Sequence, residues 1–338
     1  MRLVPALLIA LCGLISGTRT LAAQPRVIYD DDCSQDVDCV ATLPMLFQLE
    51  AQGKIQIMAM VADSANPESA AVMRLFARAA GRDELPIGAN QSGEPSSALC
   101  AKEKCNESVW TSKLVERFDA GDSRSHYPDC VTTYRKTLAA QPEHSVSIVE
   151  TGFATCLVAL LGSPPDPISA LSGEALVRRT VKQLSIMGGK YPFGTEWNFE
   201  CDAPDYHALF SQWTEQNGFP PVYLNGFANG LDVLAGPPAS ASAEKNPTAY
   251  GLQLAKVKQR PMWDMLSALF VTNGKAYFNV SQGGTVSVDP ATGADRWSAT
   301  TDSGQYVLTN GVSAESLSAL LDGYKHGSGL LAETKYTH

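Results

Sequence analysis

The sequence predicts an α/β protein: a single large domain with a mostly parallel, open sheet flanked by helices. Short apolar runs alternate along the chain with segments whose apolar residues recur at helical spacing. The length of 338 residues is enough to bury a large core. With 44% hydrophobic and 18% charged residues, the composition is that of a folded protein, which excludes disorder, collagen and coiled coil.

The first half of the chain alternates between predicted strands and helices. Val27–Asp30 is a short apolar run that ends in acids, which indicates a buried strand. Val37–Leu49 has helical spacing, with Gly53 as a C-cap. Residues 91–130 are polar and predict an excursion over the surface. The other elements predicted in this half are strands at Ile55–Ala62 and Pro86–Gly88 and a helix at Pro67–Ala80.

The second half continues the alternation and then changes character. Its predicted strands are Val146–Glu150, Gln183–Gly188, Val222–Ala228 and Val233–Leu234, with a helix at Thr155–Leu161. A long loop is predicted through Pro204 and a surface loop at 236–248. Ala276–Leu308 alternates like antiparallel strands, and Ser313 is the predicted N-cap of a last helix, Ala314–Tyr324. Ligands of such sheets bind beyond the carboxyl ends of the strands.

Residues 1–23 have the pattern of a secretory signal. Arg2 precedes an apolar run, Leu7–Ile15, and small residues lead up to Gln24. Its cleavage would leave one domain, residues 24–338, with no membrane association. We therefore expect a secreted or periplasmic protein.

Seven cysteines follow the predicted signal, so at least one is free or bonded to another chain. Cys100 and Cys105, in a polar stretch, are the predicted disulfide pair. Zinc is disfavoured because no second close pair or nearby histidine completes four ligands. Asn90, Asn106 and Asn279 begin N-glycosylation sequons, which matter only in a eukaryotic host.

The acids are the main chemical signal. A net charge of −9 argues against a nucleic-acid polymer as partner, because its backbone needs a basic surface. Five of the acids lie within nine residues directly after the first strand: Asp30, Asp31, Asp32, Asp36 and Asp38. Such carboxylates repel one another unless a cation compensates, and hard oxygen ligands select Ca²⁺ or Mg²⁺. The alternative is a solvated acidic turn at a helix N-terminus.

Two known architectures explain this loop poorly. An EF-hand needs glycine and glutamate where Gln35 and Ala41 stand. A strand ending in Asp-x-Asp is also found in haloacid-dehalogenase-like phosphatases, which would release phosphate with Mg²⁺. That resemblance rests on one short motif.

A third resemblance is broader. Asp30-x-Asp32-x-x-x-Asp36-Val37-Asp38 resembles the N-terminal signature of the inosine/uridine-preferring nucleoside hydrolase family. Three further segments resemble that family in the same order, and the likeness covers roughly residues 26–90 and 146–272. The segments are Glu150–Leu157 with Thr155, Met187-Gly-Gly189 followed by Glu196-Trp-Asn198, and Pro261-Met-Trp263-Asp264.

The resemblance implies a nucleoside-hydrolase-like fold, a small-molecule nucleoside or other riboside as substrate, and Ca²⁺ as cofactor. The implied calcium ligands are Asp32, Asp38, the Thr155 carbonyl and Asp264. Asp32 would also be the general base on the attacking water. The implied ribose ligands are Asp36, Glu196 and Asn198. The sequence is also compatible with a homo-oligomer.

The chain departs from the family on the side of the base. Trp263 stands where many members have a histidine that protonates the leaving base, and it is a candidate to stack on the base or sugar. Ser64 and Lys190 stand where asparagine is common. Either the leaving group is activated differently or the substrate is not a common nucleoside. A riboside-binding protein without turnover is the alternative function.

Overall fold

The computed structural model describes residues 24–108, 110–118, 126–236 and 242–326. Its main sheet has eight strands and helices on both faces, which confirms the predicted α/β class. The predicted secretory signal, residues 1–23, lies outside the described residues.

Strands and helices alternate through most of the described chain. The strands are β1 (Arg26–Asp31), β2 (Gln56–Ala62), β3 (Ile87–Ala89), β4 (Val146–Glu150), β5 (Val181–Met187), β6 (Phe193–Thr195), β7 (Val222–Asn225), β8 (Leu234–Ala235), β9 (Arg260–Pro261), β10 (Phe278–Val280), β11 (Thr285–Val288), β12 (Ala294–Ser298) and β13 (Gln305–Asn310). The helices are α1 (Cys39–Ala51), α2 (Ser69–Ala79), α3 (Ala98–Glu103), α4 (Thr111–Phe118), α5 (Cys130–Ala139), α6 (Thr155–Gly162), α7 (Gly173–Thr180), α8 (Trp197–Cys201), α9 (Ala203–Gln212), α10 (Phe227–Gly230), α11 (Pro247–Leu254), α12 (Asp264–Asn273) and α13 (Ala314–His326).

The main sheet has the strand order β10-β13-β7-β5-β4-β1-β2-β3. Its neighbouring strands are parallel except β10, which runs antiparallel to β13. The strand β1 lies inside the sheet, so that Asp30 is in register with Glu150 of β4 and Val61 of β2. The carboxyl ends of these three strands therefore meet at one edge.

Side chains of β1 pack alternately into two separate hydrophobic cores, one on each face of the sheet. Val27 and Tyr29 belong to the core formed with α1, α2 and α12, whereas Ile28 belongs to the core formed with α5, α6 and α9. Successive residues of a strand point to opposite faces, and both faces of this sheet are covered. Burial of each such aliphatic side chain contributes about 1.5–3 kcal/mol, so the central strand is firmly placed.

Several predicted elements differ from the structure. The predicted strand Val222–Ala228 ends at Asn225, and Phe227 begins the short helix α10. The predicted loop through Pro204 contains α8, and Pro204 lies in the first turn of α9. The C-terminal antiparallel strands are confirmed for the pairs β11–β12 and β10–β13, and β13 also joins the main sheet parallel to β7.

The predicted disulfide between Cys100 and Cys105 is wrong. Cys105 is bonded to Cys201 at the end of α8, with the Cα atoms 6.0 Å apart, and Cys100 is a buried free thiol. The Cys100 sulfur instead lies 3.1 Å from the carbonyl oxygen of Pro95. Two further bonds join Cys33 to Cys39 and Cys130 to Cys156.

The disulfides bear on the location of the protein. Three disulfides are typical of proteins that mature in an oxidising compartment. In the part of the chain that the structure describes, every helix is too short or too polar to cross a membrane.

Candidate active site

The acidic segment joins β1 to α1 across the carboxyl edge of the sheet. Its carboxyl groups divide between two faces. The hydroxyl of Tyr134 donates to Asp30 Oδ2 at 2.5 Å on one face. Asp31 instead accepts from the Thr151 hydroxyl at 3.0 Å and lies towards Asp38. The sequence cluster is thus split by the pleat of the strand, so that the Asp30 carboxyl lies on the opposite face of the sheet from that of Asp31.

A cavity of about 160 Å³ opens beside this segment. Five acids line it: Asp32, Asp36, Asp38, Glu196 and Asp264. The remaining wall is formed by Thr151, Met187, Trp197, Asn198, Phe227, Arg260 and Trp263. All the predicted site residues except Thr155 therefore come together in one wall.

Thr155 is not part of this wall. It begins α6, and its hydroxyl donates to Asp202 Oδ2 at 3.0 Å. Thr151, which follows β4 directly, lines the cavity instead, and its carbonyl oxygen accepts from Asn198 Nδ2 at 3.2 Å. Thr151 is a polar residue directly after a buried strand. The same feature locates the acids after β1, so the sequence could have identified Thr151 in this way.

Two of the acids lie at the N-termini of helices. Asp38 precedes α1 without a side-chain cap bond, and Asp264 is the first residue of α12. The carboxyl groups of Asp38 and Asp264 lie within hydrogen-bonding reach of each other, and Asp38 Oδ2 also accepts from the Trp263 backbone N–H at 3.2 Å. The partial positive charge of both helix ends therefore favours negative charge at this point.

Glu196 and Asn198 are placed by the turn into α8. The Glu196 carboxylate caps this helix by accepting from the backbone N–H groups of Asn198 and Phe199, at 3.1 and 3.4 Å. It also accepts from the Gly189 N–H at 3.2 Å. Gly189 has a φ of +83°, which a residue with a side chain rarely adopts. The glycine pair in the sequence thus shapes the turn that aims Glu196.

Sequence reasoning missed Arg260 and Phe227. Arg260 Nη2 lies 2.7 and 2.8 Å from the two carboxylate oxygens of Asp36. The rings of Phe227 and Trp263 stack with centroids 5.5 Å apart, and the Trp263 indole N–H donates to the Phe227 carbonyl at 2.8 Å. A Cβ at Gly230 would lie 2.2 Å from the indole, so this glycine permits the position of Trp263. Arg260 was detectable only as a cation close in sequence to Trp263.

Burial dominates the electrostatics of the acids. It raises the pKa of Glu196 to about 7 even though three backbone N–H groups favour the ionised form. Burial, followed by repulsion from Asp38, raises the pKa of Asp31 to about 7. The same two causes raise the pKa of Asp264, and at Asp36 the Arg260 guanidinium works in the opposite direction. Without a compensating cation, several of these groups hold protons near neutral pH.

The donor set of the wall fits a hard divalent cation. Asp32, Asp38 and Asp264 are almost fully buried and offer carboxylate oxygens, the ligands that Ca²⁺ and Mg²⁺ prefer. A second group, Asp31 with Cys33 and Cys39, has its ligand atoms within 4.8 Å of one another. Because those two sulfurs are bonded to each other, they offer no thiolate, and the oxygen set is the better candidate.

The fold is similar to nucleoside hydrolases of known structure. The inosine-uridine preferring nucleoside hydrolase of Bacillus anthracis has a TM-score of 0.62 at 16% identity, covering 90% of this chain and 100% of its own. An inosine-guanosine nucleoside hydrolase has a TM-score of 0.64 at 14% identity, covering 89% and 98%. The type III effector protein XopQ, solved in complex with adenosine diphosphate ribose, has a TM-score of 0.68 at 18% identity, covering 90% and 95%. No protein-family model and no curated protein matches the sequence, so these similarities establish the fold.

Proposed function

We propose that this protein is a calcium-dependent hydrolase that cleaves the N-glycosidic bond of ribonucleosides or related N-ribosides. One observation carries the proposal: a single cavity at the carboxyl edge of the sheet has a wall of buried acids, an amide and aromatic rings. The nucleoside hydrolases among the structural neighbours support the choice of substrate class.

Asp32, Asp38 and Asp264 would hold the calcium ion, together with one backbone carbonyl. The sequence prediction assigned that carbonyl to Thr155. The position of Thr151 in the cavity wall supports Thr151 in this role instead. When bound, the ion supplies a positive charge that lowers the pKa of a neighbouring water.

The side chains divide the remaining work. Asp32 accepts the proton of the water that attacks the anomeric carbon, which requires its ionised form. Asp36, Glu196 and Asn198 accept and donate hydrogen bonds to the ribose hydroxyls and so fix the sugar. The sugar acquires positive charge in the transition state, and the surrounding carboxylates stabilise that charge.

The proposal is tested by the release of free ribose from a nucleoside panel in the presence of calcium. Asp32→Asn should lower kcat by about a hundredfold or more, in the range of losses for a general base, while the ligand still binds. Asp232→Asn, at an exposed aspartate, is the matched control and should retain activity. Equal ribose release by both variants would contradict the role of Asp32.

The alternative is a riboside-binding protein of the same fold. The base side of the cavity favours it, because Trp263 lines the wall and none of the described lining residues is a histidine that could protonate a leaving base. The complex of XopQ with adenosine diphosphate ribose adds support. Calorimetric binding of a riboside without any release of reducing sugar would establish this alternative.

We further propose that residues 1–23 are a cleaved secretory signal and that residues 24–338 form the secreted or periplasmic enzyme. The three disulfides support an oxidising location. Sequencing of the mature N-terminus after export tests the cleavage.

A further inference from the structure

The cavity wall contains few groups that could give a proton to a departing base. Among the described residues that line the cavity, none is a histidine, lysine, cysteine or tyrosine. Glu196 accepts backbone N–H bonds at both carboxylate oxygens, an arrangement that matches the ionised form. Above pH 7, where Glu196 is mostly ionised, the described part of the wall therefore offers no evident general acid for the proposed function.

Four side chains of the wall already donate hydrogen bonds to acceptors in the protein. The Thr151 hydroxyl donates to Asp31, the Asn198 amide to the Thr151 carbonyl, the Trp263 indole to the Phe227 carbonyl, and Arg260 to Asp36. The wall is thus rich in acceptors that carry or can carry negative charge, and four of its donor side chains are engaged with the protein.

This arrangement treats leaving groups differently according to their charge. A neutral nucleoside base leaves as an anion unless a proton reaches it. With its five acids ionised, the wall keeps a net negative charge even after Arg260 and a bound Ca²⁺ are counted, and the anion would form beside that charge. A base that is already a cation leaves as a neutral molecule and needs no proton. The negative charge of the wall therefore opposes the release of an anionic base, and it does not oppose the release of a neutral base from a cationic ring.

The aromatic part of the wall also suits a cation. The rings of Phe227, Trp263 and Trp197 line the cavity. Two of them already have cations near their rings, with Arg260 at 5.6 Å from the Trp263 centroid and Lys190 at 5.6 Å from that of Phe227. Aromatic faces attract cations through their quadrupole, and a planar cationic ring can stack on them as well.

We propose, on the basis of the proposed function, that the preferred substrates are ribosides of a cationic nitrogen heteroaromatic ring, the N-ribosylpyridinium class. The bond between the anomeric carbon and the ring nitrogen breaks, and its electron pair stays on the nitrogen, so a neutral pyridine leaves. The water oxygen bonds to the anomeric carbon, and its proton passes to the Asp32 carboxylate and then to solvent. Ribose, pyridine and one proton are the products.

The test compares kcat/KM for N-ribosylnicotinamide, inosine, uridine and para-nitrophenyl riboside with the full mature chain and calcium at pH 8. N-ribosylnicotinamide should exceed inosine and uridine by about a hundredfold or more, the lower range for a missing general acid. Para-nitrophenyl riboside, whose leaving group is stable without a proton, should also exceed them in kcat. Equal cleavage of inosine overturns the inference and leaves the proposed function intact, whereas no cleavage of any of the four overturns both.

Variants of the wall test the recognition of the cation. Trp263→Leu should raise KM for N-ribosylnicotinamide about threefold to tenfold, the range of a partly desolvated cation–π contact, and Trp263→Phe should restore it. Para-nitrophenyl riboside, which is neutral, should show a smaller change in KM. Selective loss of inosine cleavage in Arg260→Gln would make Arg260 a donor to the leaving group and would overturn the inference.

Discussion

Arg260 and Asp36 form an ion pair in the cavity wall. The guanidinium lowers the pKa of the Asp36 carboxyl, against the burial that raises it. We expect Arg260→Gln to leave more of Asp36 protonated at neutral pH and therefore to raise KM several-fold, with a larger effect at pH 6 than at pH 8. Steady-state kinetics at both pH values measures this. Arg78→Gln, in an ion pair with Asp83 outside the cavity wall, is the control, and an equal effect of both variants would contradict the expectation.

Protonation of Glu196 should weaken substrate binding at acidic pH. Burial raises its pKa to about 7, so the group is ionised above that pH and increasingly protonated below it. The proposed ribose contact uses the carboxylate as acceptor. The affinity for a riboside should therefore fall up to tenfold for each unit of pH below about 7. Calorimetry across pH 5 to 8 measures it, and Glu196→Gln should bind more weakly with a flatter profile.

At the scale of elements, the Cys130–Cys156 disulfide ties α5 to α6 beneath the site. Its closed loop spans 26 residues, for which a bond of this kind contributes about 3.5 kcal/mol to the free energy of unfolding. The double variant Cys130→Ala/Cys156→Ala should lose about that amount in urea denaturation. Cys100→Ala, which removes a buried sulfur without a bond, should lose clearly less. Equal losses would mean that packing, rather than the covalent bond, carries the effect.

The central elements could be predicted because their sequence pattern is strong. The apolar run before Asp30 and the helical spacing after Val37 appear in the structure as β1 and α1. The strand after Val222 was predicted too long because Phe227 fits a strand and a helix equally well. Cys105 and Cys201 are separated by 96 residues, and local spacing carries no information about such a pair.

The site residues could be predicted where a side chain suited to metal binding also follows a buried strand directly. The acids Asp32 and Asp38 follow a buried strand, so the sequence places them at the ligand edge. Thr155 is the residue that the motif indicates, because the motif is matched by residue type. Any residue type can supply a backbone carbonyl. Only the path of the chain in the structure therefore distinguishes the Thr151 carbonyl from the Thr155 carbonyl as a ligand. The partner of Arg260 likewise depends on packing between β9 and the acidic segment.

At the scale of the whole molecule, calcium and pH should act together on stability. Burial raises the pKa of Asp31 to about 7 in the folded protein. A raised carboxyl pKa makes the calcium-free protein less stable as the pH rises from about 4, the value in the unfolded chain, towards 7. At pH 8 the ionised carboxylates of the proposed calcium site would accept the ion directly. At pH 5 the ion would first have to displace protons from Asp32 and Asp264, whose pKa values burial raises.

Calcium should therefore stabilise the protein more at pH 8 than at pH 5. At a free concentration roughly a hundredfold above Kd, the free energy of unfolding should rise by about 2.7 kcal/mol. Thermal denaturation with calcium or with a chelator measures the difference as a shift in Tm. Asp38→Asn combined with Asp264→Asn should abolish most of it. An unchanged Tm in the wild-type protein at pH 8 would contradict calcium binding.

The Cys33–Cys39 bond fixes the conformation of the acidic segment covalently. It closes a loop over a sequence separation of six residues and holds Cys33 at a φ of 38°. The mutual repulsion of the aspartates in this segment is therefore overcome once, when the disulfide forms, and not each time that a cation binds. The ring does not depend on a bound ion, so it would preorganise the cavity for the proposed calcium ion. Under the proposed function, loss and return of calcium would then need no refolding of the acidic segment.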